Sequence, residues 1–174
     1  MIELQNVCKR YRVKNGWHTV LDNVNLRFEE GKSMGILGVN GAGKSTMIRI
    51  IGGAEQPDSG RVIRTSRVSW PIGFSGCFHG SLTGRENLRF VSRVYGADIR
   101  KVTDYVEDFA ELGDYMDMPI NTYSSGMRSK LAFGLSMAIG FDFYLIDEAY
   151  SVGDAAFKKK ADRALKEKAA TSTL

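Results

Sequence analysis

The sequence predicts an α/β fold of layered strands and helices, with a small antiparallel β subdomain at the start and a helical insertion later in the chain. Three observations lead to this prediction. The first thirty residues alternate apolar and polar side chains, as half-buried strands do. The apolar run SMGILG (33–38) leads into a glycine-rich loop and a helix. A second apolar run, FDFYLID (141–147), follows a block of helical sequence and returns the chain to the sheet.

The composition is ordinary for a soluble globular domain of 174 residues, with 43% hydrophobic and 25% charged residues. The net charge of +4 is small and the basic residues are scattered, which argues against a nucleic-acid partner. Cys8 and Cys77 are far apart, so neither a disulfide nor a zinc site is predicted. No stretch of about 18 apolar residues occurs, so any membrane role is expected to pass through a partner.

Strands are expected over most of the first seventy residues. In NVNLRF (23–28), Val24, Leu26 and Phe28 are expected to point inward. SMGILG is expected to be a strand that is buried on both faces. The other strand candidates are IELQNV (2–7), HTVLDNV (18–24), RVI (61–63) and RVSWPI (67–72).

Helices are predicted from their periodicity and end signals. The first covers 44–53 and ends at its two glycines. Thr83 and Glu86 form a capping-box pattern, so a second helix is expected to start there and to run to about Tyr95. Further helices are expected over 98–113, 124–140 and 154–168. The helix over 98–113 is expected to end at Gly113, and the helix over 154–168 is expected to be capped by Asp154.

The segment GVNGAGKS (38–45) lies between a predicted strand and a predicted helix and fits the pattern G-x-x-x-x-G-K-[ST]. Its glycines let the backbone curl closely, so that successive N–H groups and the helix N-terminus face an anion. Lys44 can reach the β- and γ-phosphates, and the Ser45 hydroxyl can bind Mg²⁺. The predicted nucleotide-binding residues are Gly38, Val39, Asn40, Gly41, Ala42, Gly43, Lys44, Ser45 and Thr46.

The segment FYLIDE (143–148) ends an apolar strand with two carboxylates at the phosphate end of the sheet. Asp147 is expected to hold Mg²⁺, directly or through water. Glu148 is expected to orient and polarise the water that attacks the γ-phosphate. A buried strand that ends in a polar turn is the alternative, and the phosphate loop makes it the weaker one.

The segment YSSGM (123–127) opens a helix, with Ser124 as N-cap and the amides of Ser125 and Gly126 exposed. It is either a well-capped helix start or a second phosphate-facing helix end. With it the chain resembles the ATP-binding subunits of ABC transporters, whose signature is LSGGQ. Ser124 matches the signature serine and Gly126 its second glycine, whereas Ser125 and Met127 replace the first glycine and the glutamine.

The resemblance covers residues 1–174 and implies the P-loop NTPase fold of an ABC cassette, with a helical subdomain over about 80–140 and with ATP and Mg²⁺ as cofactors. Tyr11 matches the aromatic residue that stacks on adenine in this family. His79 lies at the position of the Q-loop glutamine, where it could accept a hydrogen bond from metal-bound water, sense the transporter or have no role. SVGD (151–154) matches the D-loop.

Three segments, WPIGFSGCFHGSLTGRENLRF (70–90), YSSGM and DEAYSVGD (147–154), resemble the ATPases of polysaccharide exporters. The chain has no room for a carbohydrate-binding domain, which favours the capsule branch. The resemblance implies a head-to-tail homodimer at the cytoplasmic face of the bacterial inner membrane, bound to an integral membrane permease. Permease contact is expected at residues 75–87 and the helices after it, while Phe90 is expected in the core.

Three alternatives stay open at this point. The exporter could carry O-antigen or teichoic acid. An ABC-type ATPase could act on DNA or ribosomes, although the chain lacks the coiled-coil insertion or tandem cassette usual there. The chain could also bind ATP without efficient turnover, because it stops at ATSTL, before the family's switch histidine, and neither His18 nor His79 can fill that place. The expectation is therefore a fragment or a truncated copy with impaired turnover.

Overall fold

A computed structural model describes residues 1–72, 75–147, 154–170, 172 and 173. The chain divides into two compact units. The sheet unit comprises residues 1–71, 141–148 and 169–174, and the helical unit comprises residues 72–140 and 149–168. The described strands all lie in the sheet unit, whereas most of the described helices lie in the helical unit, and together they give the predicted α/β class.

The sheet unit is built on a three-stranded antiparallel sheet in which β1 lies between β2 and β3. A two-residue turn at 14–15 joins β1 to β2, so the strands expected over 18–24 and 23–28 form one continuous strand. Leu26 is 43% exposed, so the expectation that it points inward is wrong. It lies on an edge strand, which has a neighbour on one side only. The three strands are β1 (Ile2–Val13), β2 (Gly16–Phe28) and β3 (Ser59–Arg64).

The core of the sheet unit is formed by apolar side chains of this sheet and of α1 (Lys44–Ile51). As predicted, α1 ends at its glycines: Gly52 is the C-cap and its N–H donates to the Ile48 carbonyl at 2.9 Å. Burial of this set is the main source of stability in the unit. The buried members are Ile2, Leu4, Val7, Leu21, Met47, Ile50, Ile51 and Phe143.

Two further strands of the sheet unit pair in parallel, β4 (Val68–Pro71) and β5 (Phe143–Leu145). β5 is shorter than the predicted strand over 141–147. Trp70 in β4 is 8% exposed and packs edge-to-face against Phe141, with 5.3 Å between the ring centroids. Aromatic pairs favour this geometry, so the contact fixes the start of β5 against β4.

Residues 33–38 form no strand, and the prediction of a doubly buried strand there is wrong. Leu37 is 95% exposed and Met34 44% exposed. A cavity of about 400 Å³ is lined by residues 32–36 and also by β5. Among the described residues no β ladder joins the two segments. An apolar run adopts a strand only where a neighbouring strand satisfies its backbone groups. In the described part of the chain, β5 pairs with β4 and with Thr173.

The described residues of the helical unit form four α-helices around an aromatic core. Phe109, Phe133 and Phe157 come from three of these helices, and their ring centroids lie 5.4–6.0 Å apart. The four helices are α2 (Gly84–Val94), α3 (Ile99–Ala110), α4 (Ser125–Ala138) and α5 (Ala155–Ala169).

The predicted caps of α2 and α5 are confirmed. The Thr83 hydroxyl accepts the Glu86 N–H at 3.2 Å, and the Glu86 carboxylate accepts the Thr83 N–H at 2.8 Å. Asp154 accepts the N–H of Phe157 at 2.9 Å. These contacts satisfy backbone donors that a helix leaves unpaired at its start.

The predicted end of α3 at Gly113 is wrong. The helix ends at Ala110, and Glu111 adopts the left-handed conformation with φ of 52° while its N–H donates to the Glu107 carbonyl at 3.1 Å. Glycine favours this conformation, but other residues adopt it when the local hydrogen bond supports them. Gly113 instead begins a short 3₁₀ turn.

Candidate nucleotide-binding site

The phosphate loop predicted at 38–46 connects residues 33–37 to α1 and is tightly curled. The N–H of Ala42 donates to the Val39 carbonyl at 3.1 Å. Gly43 has φ of 92°, and a Cβ there would lie 2.6 Å from Val20 Cγ1 and 2.9 Å from the Val20 carbonyl oxygen. Only glycine fits this position, because it needs both the left-handed backbone and the close approach to β2.

Lys44 lies at the first position of α1, and its side chain folds back over the loop. The ammonium donates to the Gly38 carbonyl at 2.6 Å and to the Val39 carbonyl at 3.4 Å. A cavity of about 390 Å³ is lined by residues 39–46 together with His18 and Val20 of β2. The predicted loop residues therefore come together around one concave site that carries amides, a helix N-terminus and a cation.

The two predicted magnesium ligands lie side by side. The Ser45 hydroxyl donates to a carboxylate oxygen of Asp147 at 3.3 Å. Oxygen donors of this kind suit Mg²⁺, which takes one or two protein ligands and completes its shell with phosphates and water. Among the described residues, no group of three or more His, Cys, Asp or Glu side chains is placed to hold a metal ion. Glu148, the predicted catalytic carboxylate, lies outside the described residues.

Tyr11 does not line the cavity of the phosphate loop; its hydroxyl is bound at the side of α1. It donates to Glu55 at 2.6 Å and lies 3.4 Å from the Thr46 hydroxyl. Arg49 joins the same group, since it donates to Thr46 at 3.2 Å and to Glu55 at 3.1 Å. The hydrogen bonds hold the tyrosine ring in one position relative to the loop.

The carboxylate of Glu55 pairs with two cations of this group, Lys9 and Arg49. Burial acts to raise the pKa of Glu55, but hydrogen bonds from Tyr11, Arg49 and Lys9 outweigh it and hold the pKa below the ordinary value. The Lys9 ammonium lies 3.1 Å from the same carboxylate. No sequence pattern predicts this group, because its members are spread over β1, α1 and the turn after α1.

The residues of the predicted signature lie in the helical unit. Ser124 caps α4, since its hydroxyl accepts the Met127 N–H at 3.2 Å, which confirms the predicted N-cap. A cavity of about 450 Å³ is lined by residues 124–127 with Ser129, Lys130 and Asp154. Hydrogen bonds from the Phe157 N–H and from Lys130 hold the pKa of Asp154 below its ordinary value. Of the predicted D-loop, only Asp154 is among the described residues.

His79 is exposed, and its backbone is held by an asparagine that sequence reasoning missed. The Asn87 side chain, which is fully buried, accepts the His79 N–H at 2.8 Å. Its amide donates to the carbonyls of His79, Leu82 and Thr83 at 2.9–3.2 Å. One side chain therefore organises the whole turn before α2. An asparagine four residues after the capping-box threonine is the sequence signal that could have indicated it.

The comparison with known protein families decides what this arrangement is. A sequence profile of the ABC transporter family matches residues 21–151. The chain belongs to the ABC transporter family. The match includes the phosphate loop, the signature variant and the strand before Asp147, and it confirms the resemblance that these segments indicated.

Two bacterial ATP-binding proteins share more than half of their aligned residues with this ABC protein. The polysialic acid transport ATP-binding protein KpsT of Escherichia coli is 57% identical over 162 residues, which are 92% of this chain and 74% of that protein. The capsule polysaccharide export ATP-binding protein CtrD of Neisseria meningitidis serogroup B is 52% identical over 168 residues, which are 97% of this chain and 78% of that protein.

Among solved structures, the ATP-binding cassette MJ0796 matches with a TM-score of 0.77 and 26% sequence identity, over 99% of this chain and 86% of that chain. That structure is a dimer in a post-hydrolysis state, bound to ADP and Pi. The ABC cassette fold is confirmed, and the chain is an ABC-type ATPase that binds ATP. No helix among the described residues is both long and apolar enough to cross a membrane.

Proposed function

We propose that this ABC ATPase energises the export of a capsular polysaccharide across the bacterial inner membrane. The observation that carries the proposal is its 57% and 52% identity to relatives named for polysialic acid transport and capsule polysaccharide export. The shared sequence extends over more than nine-tenths of the chain and therefore well beyond the residues that contact ATP. Both relatives support a capsular substrate rather than the DNA-directed or ribosome-directed alternative.

The chemistry of the site is phosphoryl transfer to water. The amides of the phosphate loop and Lys44 bind the β- and γ-phosphates and stabilise charge on them. Ser45 and Asp147 would hold Mg²⁺, which when bound would offset the charge of the phosphate oxygens. Glu148 accepts a hydrogen bond from the attacking water and orients it. The water oxygen forms a bond to the γ-phosphorus as the bond from that phosphorus to the bridging oxygen breaks. The products are ADP and hydrogen phosphate, and the remaining proton of the water is released to solvent.

A second copy of the chain completes the site. The phosphate loop alone covers one side of a triphosphate. The start of α4, with Ser124, Ser125 and Gly126, supplies amides and the positive end of a helix dipole to the nucleotide of the partner copy. Support comes from the cavity that these residues line and from the dimeric state of the related cassette. ATP then joins the two copies, and its hydrolysis releases them.

The permease contact lies on the helical unit, and α2 offers a surface for it. Phe90 is 57% exposed and Val94 is 63% exposed, one turn apart on the same side of the helix. The expectation that Phe90 belongs to the core is therefore wrong. Two adjacent exposed apolar side chains suit a short apolar segment of the membrane partner. Through it the chain is held at the cytoplasmic face of the membrane.

Complementation of an export mutant tests the function. In an Escherichia coli strain without its own polysialic acid transport ATP-binding protein, expression of this chain is expected to restore surface polysialic acid. Antibody binding to intact cells measures it. The Lys44→Ala variant is expected to restore none, because the loop then lacks the cation that binds the phosphates. Lys14→Ala is the matched control, since Lys14 is an exposed lysine in the turn between β1 and β2.

Two outcomes of the complementation experiment would contradict the proposed function. If the chain is produced and hydrolyses ATP but restores no surface polysialic acid, the proposed substrate is wrong. If Lys44→Ala restores export as well as the unchanged chain does, the proposed role of ATP at this loop is wrong.

A further inference from the structure

His18 of β2 lines the phosphate-loop cavity although it lies outside the loop. The cavity is lined by His18 and Val20 in addition to the loop itself. Val20 lies directly against the loop, since a Cβ on Gly43 would be 2.6 Å from it. His18 lies two residues further along the strand, about 6–7 Å from Val20 at the usual rise of a strand. His18 therefore borders the cavity at the end that is nearer to the turn between β1 and β2 than Val20 is.

His18 is also the cross-strand partner of Tyr11. The register pairs Tyr11 with His18 and Val13 with Gly16, and no register shift occurs between these pairs. Side chains directly opposite each other in an antiparallel pair lie on the same face, with Cβ atoms about 4.5–5.5 Å apart. Tyr11 and His18 therefore occupy neighbouring positions on the same face of the sheet. A bulge next to Val20 ends this regular pairing, which is how a strand can turn a side chain toward a site.

We propose that His18 contacts the purine base of the bound nucleotide and forms, together with Tyr11, the surface on which the base rests. The inference deepens the proposed function and rests on it, because it takes the phosphate loop as the ATP site. Beyond that function it assigns a base-contacting role to a residue outside the motifs.

Three features support the assignment. A nucleotide whose triphosphate lies in the loop must extend its base out of the cavity, and His18 borders that cavity. The hydroxyl of Tyr11 is held by Glu55 at 2.6 Å, which holds the tyrosine in place on the sheet face that it shares with His18. The His18 side chain is exposed, so contact with a base removes a flat aromatic surface from water.

The neighbours of His18 are turned to the other face of β2. Trp17 pairs with Arg12 and lies under the Arg10 guanidinium, whose carbon is 4.9 Å from the ring centroid. Thr19 pairs with Arg10. Neither residue lines the cavity, so Thr19 provides a control on the same strand.

Binding of two ligands separates the base from the phosphates. The dissociation constants of Mg-ATP and of magnesium tripolyphosphate are measured by calorimetry for the unchanged chain, His18→Ala and Thr19→Ala. Loss of one base-stacking ring is expected to weaken ATP binding about tenfold in His18→Ala. Tripolyphosphate binding is expected to stay unchanged, which also shows that the variant is folded. Thr19→Ala is expected to bind both ligands as the unchanged chain does.

The contrary outcomes are distinct. Unchanged ATP binding by His18→Ala, or an equal weakening of both ligands, would overturn the role of His18 and leave the proposed function intact. An unchanged chain that binds neither ligand would overturn the proposed function, and with it this inference.

Discussion

At Gly43 the phosphate loop requires a residue without a Cβ atom. Gly41 and Gly43 both have positive φ, at 83° and 92°. A Cβ on Gly41 meets nothing within 4 Å, whereas one on Gly43 meets the side chain and the carbonyl of Val20. The two positions therefore differ in packing and share their backbone conformation.

Alanine substitutions at these two glycines separate the cost of a left-handed backbone from the cost of steric overlap with Val20. Gly41→Ala is expected to weaken ATP binding about tenfold, because a left-handed alanine costs roughly 1–2 kcal/mol. Gly43→Ala is expected to weaken it by a further factor of about ten or more, because overpacking adds about 1–3 kcal/mol. Calorimetry with Mg-ATP measures both. Equal losses would show that the contact with Val20 does not shape the loop.

At the same scale, the sequence predicts the residues of the site better than it predicts their neighbours. Lys44, Ser45 and Asp147 stand in recognisable patterns, and the structure brings Ser45 and Asp147 to 3.3 Å. His18 and Asn87 stand in no pattern. Their roles depend on which residue lies across a strand or inside a turn, and pairing of that kind follows only from the folded backbone.

Among the elements, β1 and α1 are linked by the carboxylate of Glu55. Its pKa is lower in the folded chain than the ordinary value of 4.5, because hydrogen bonds to Tyr11, Arg49 and Lys9 outweigh burial. A group whose pKa is depressed by folding stabilises the fold in its ionised form. Its contribution is present above pH 4.5 and is lost as the pH falls through the lowered pKa.

The variant Glu55→Gln tests this link. At pH 7 it is expected to lower the free energy of unfolding by about 1 kcal/mol, since hydrogen bonds to a charged group are lost at a partly exposed site. The difference from the unchanged chain is expected to shrink as the pH falls below 4.5. Urea unfolding at pH 7, 5 and 4 measures it. A difference that stays constant with pH would show that the charge of Glu55 is not involved.

Elements with strong local signals were predictable, and those that need a distant partner were not. Thr83 and Glu86 marked the start of α2 within four residues of sequence, and the capping box is formed. Residues 33–38 have the composition of a buried strand but form none in the described structure, because β5 is not paired with them. Helix signals are local, whereas a strand also requires the neighbour that receives its hydrogen bonds.

For the whole molecule, the proposed site requires two copies of the chain. The Glu148→Gln variant is expected to form a dimer in Mg-ATP, because it keeps the charge-assisted contacts at the loop but lacks the carboxylate that orients water. Sedimentation in ATP and in ADP measures the mass. In ADP the variant is expected to remain a monomer, because the γ-phosphate that contacts the second copy is absent.

A second substitution provides the control for dimer formation. Gly126→Asp in the same variant is expected to prevent it, because a carboxylate would face the phosphates bound by the other copy. The change suits the fold, since a Cβ on Gly126 meets only the Ser124 hydroxyl at 3.9 Å and an acid is favourable in the first turn of α4. A double variant that still dimerises in ATP would contradict the assigned position of α4.

The surroundings of the two tryptophans make the chain its own optical sensor. Trp17 is 61% exposed and adjacent in sequence to His18, while Trp70 is 8% exposed and packed on Phe141. An indole in water emits at longer wavelength than one in an apolar interior, so the two contribute separable bands to the fluorescence spectrum. Trp17 lies on the face of β2 opposite to His18, so a base on His18 contacts neither indole, whereas unfolding of the sheet unit exposes Trp70 to water and moves its band toward that of Trp17. The spectrum therefore reports unfolding of the sheet unit in real time, without an attached dye.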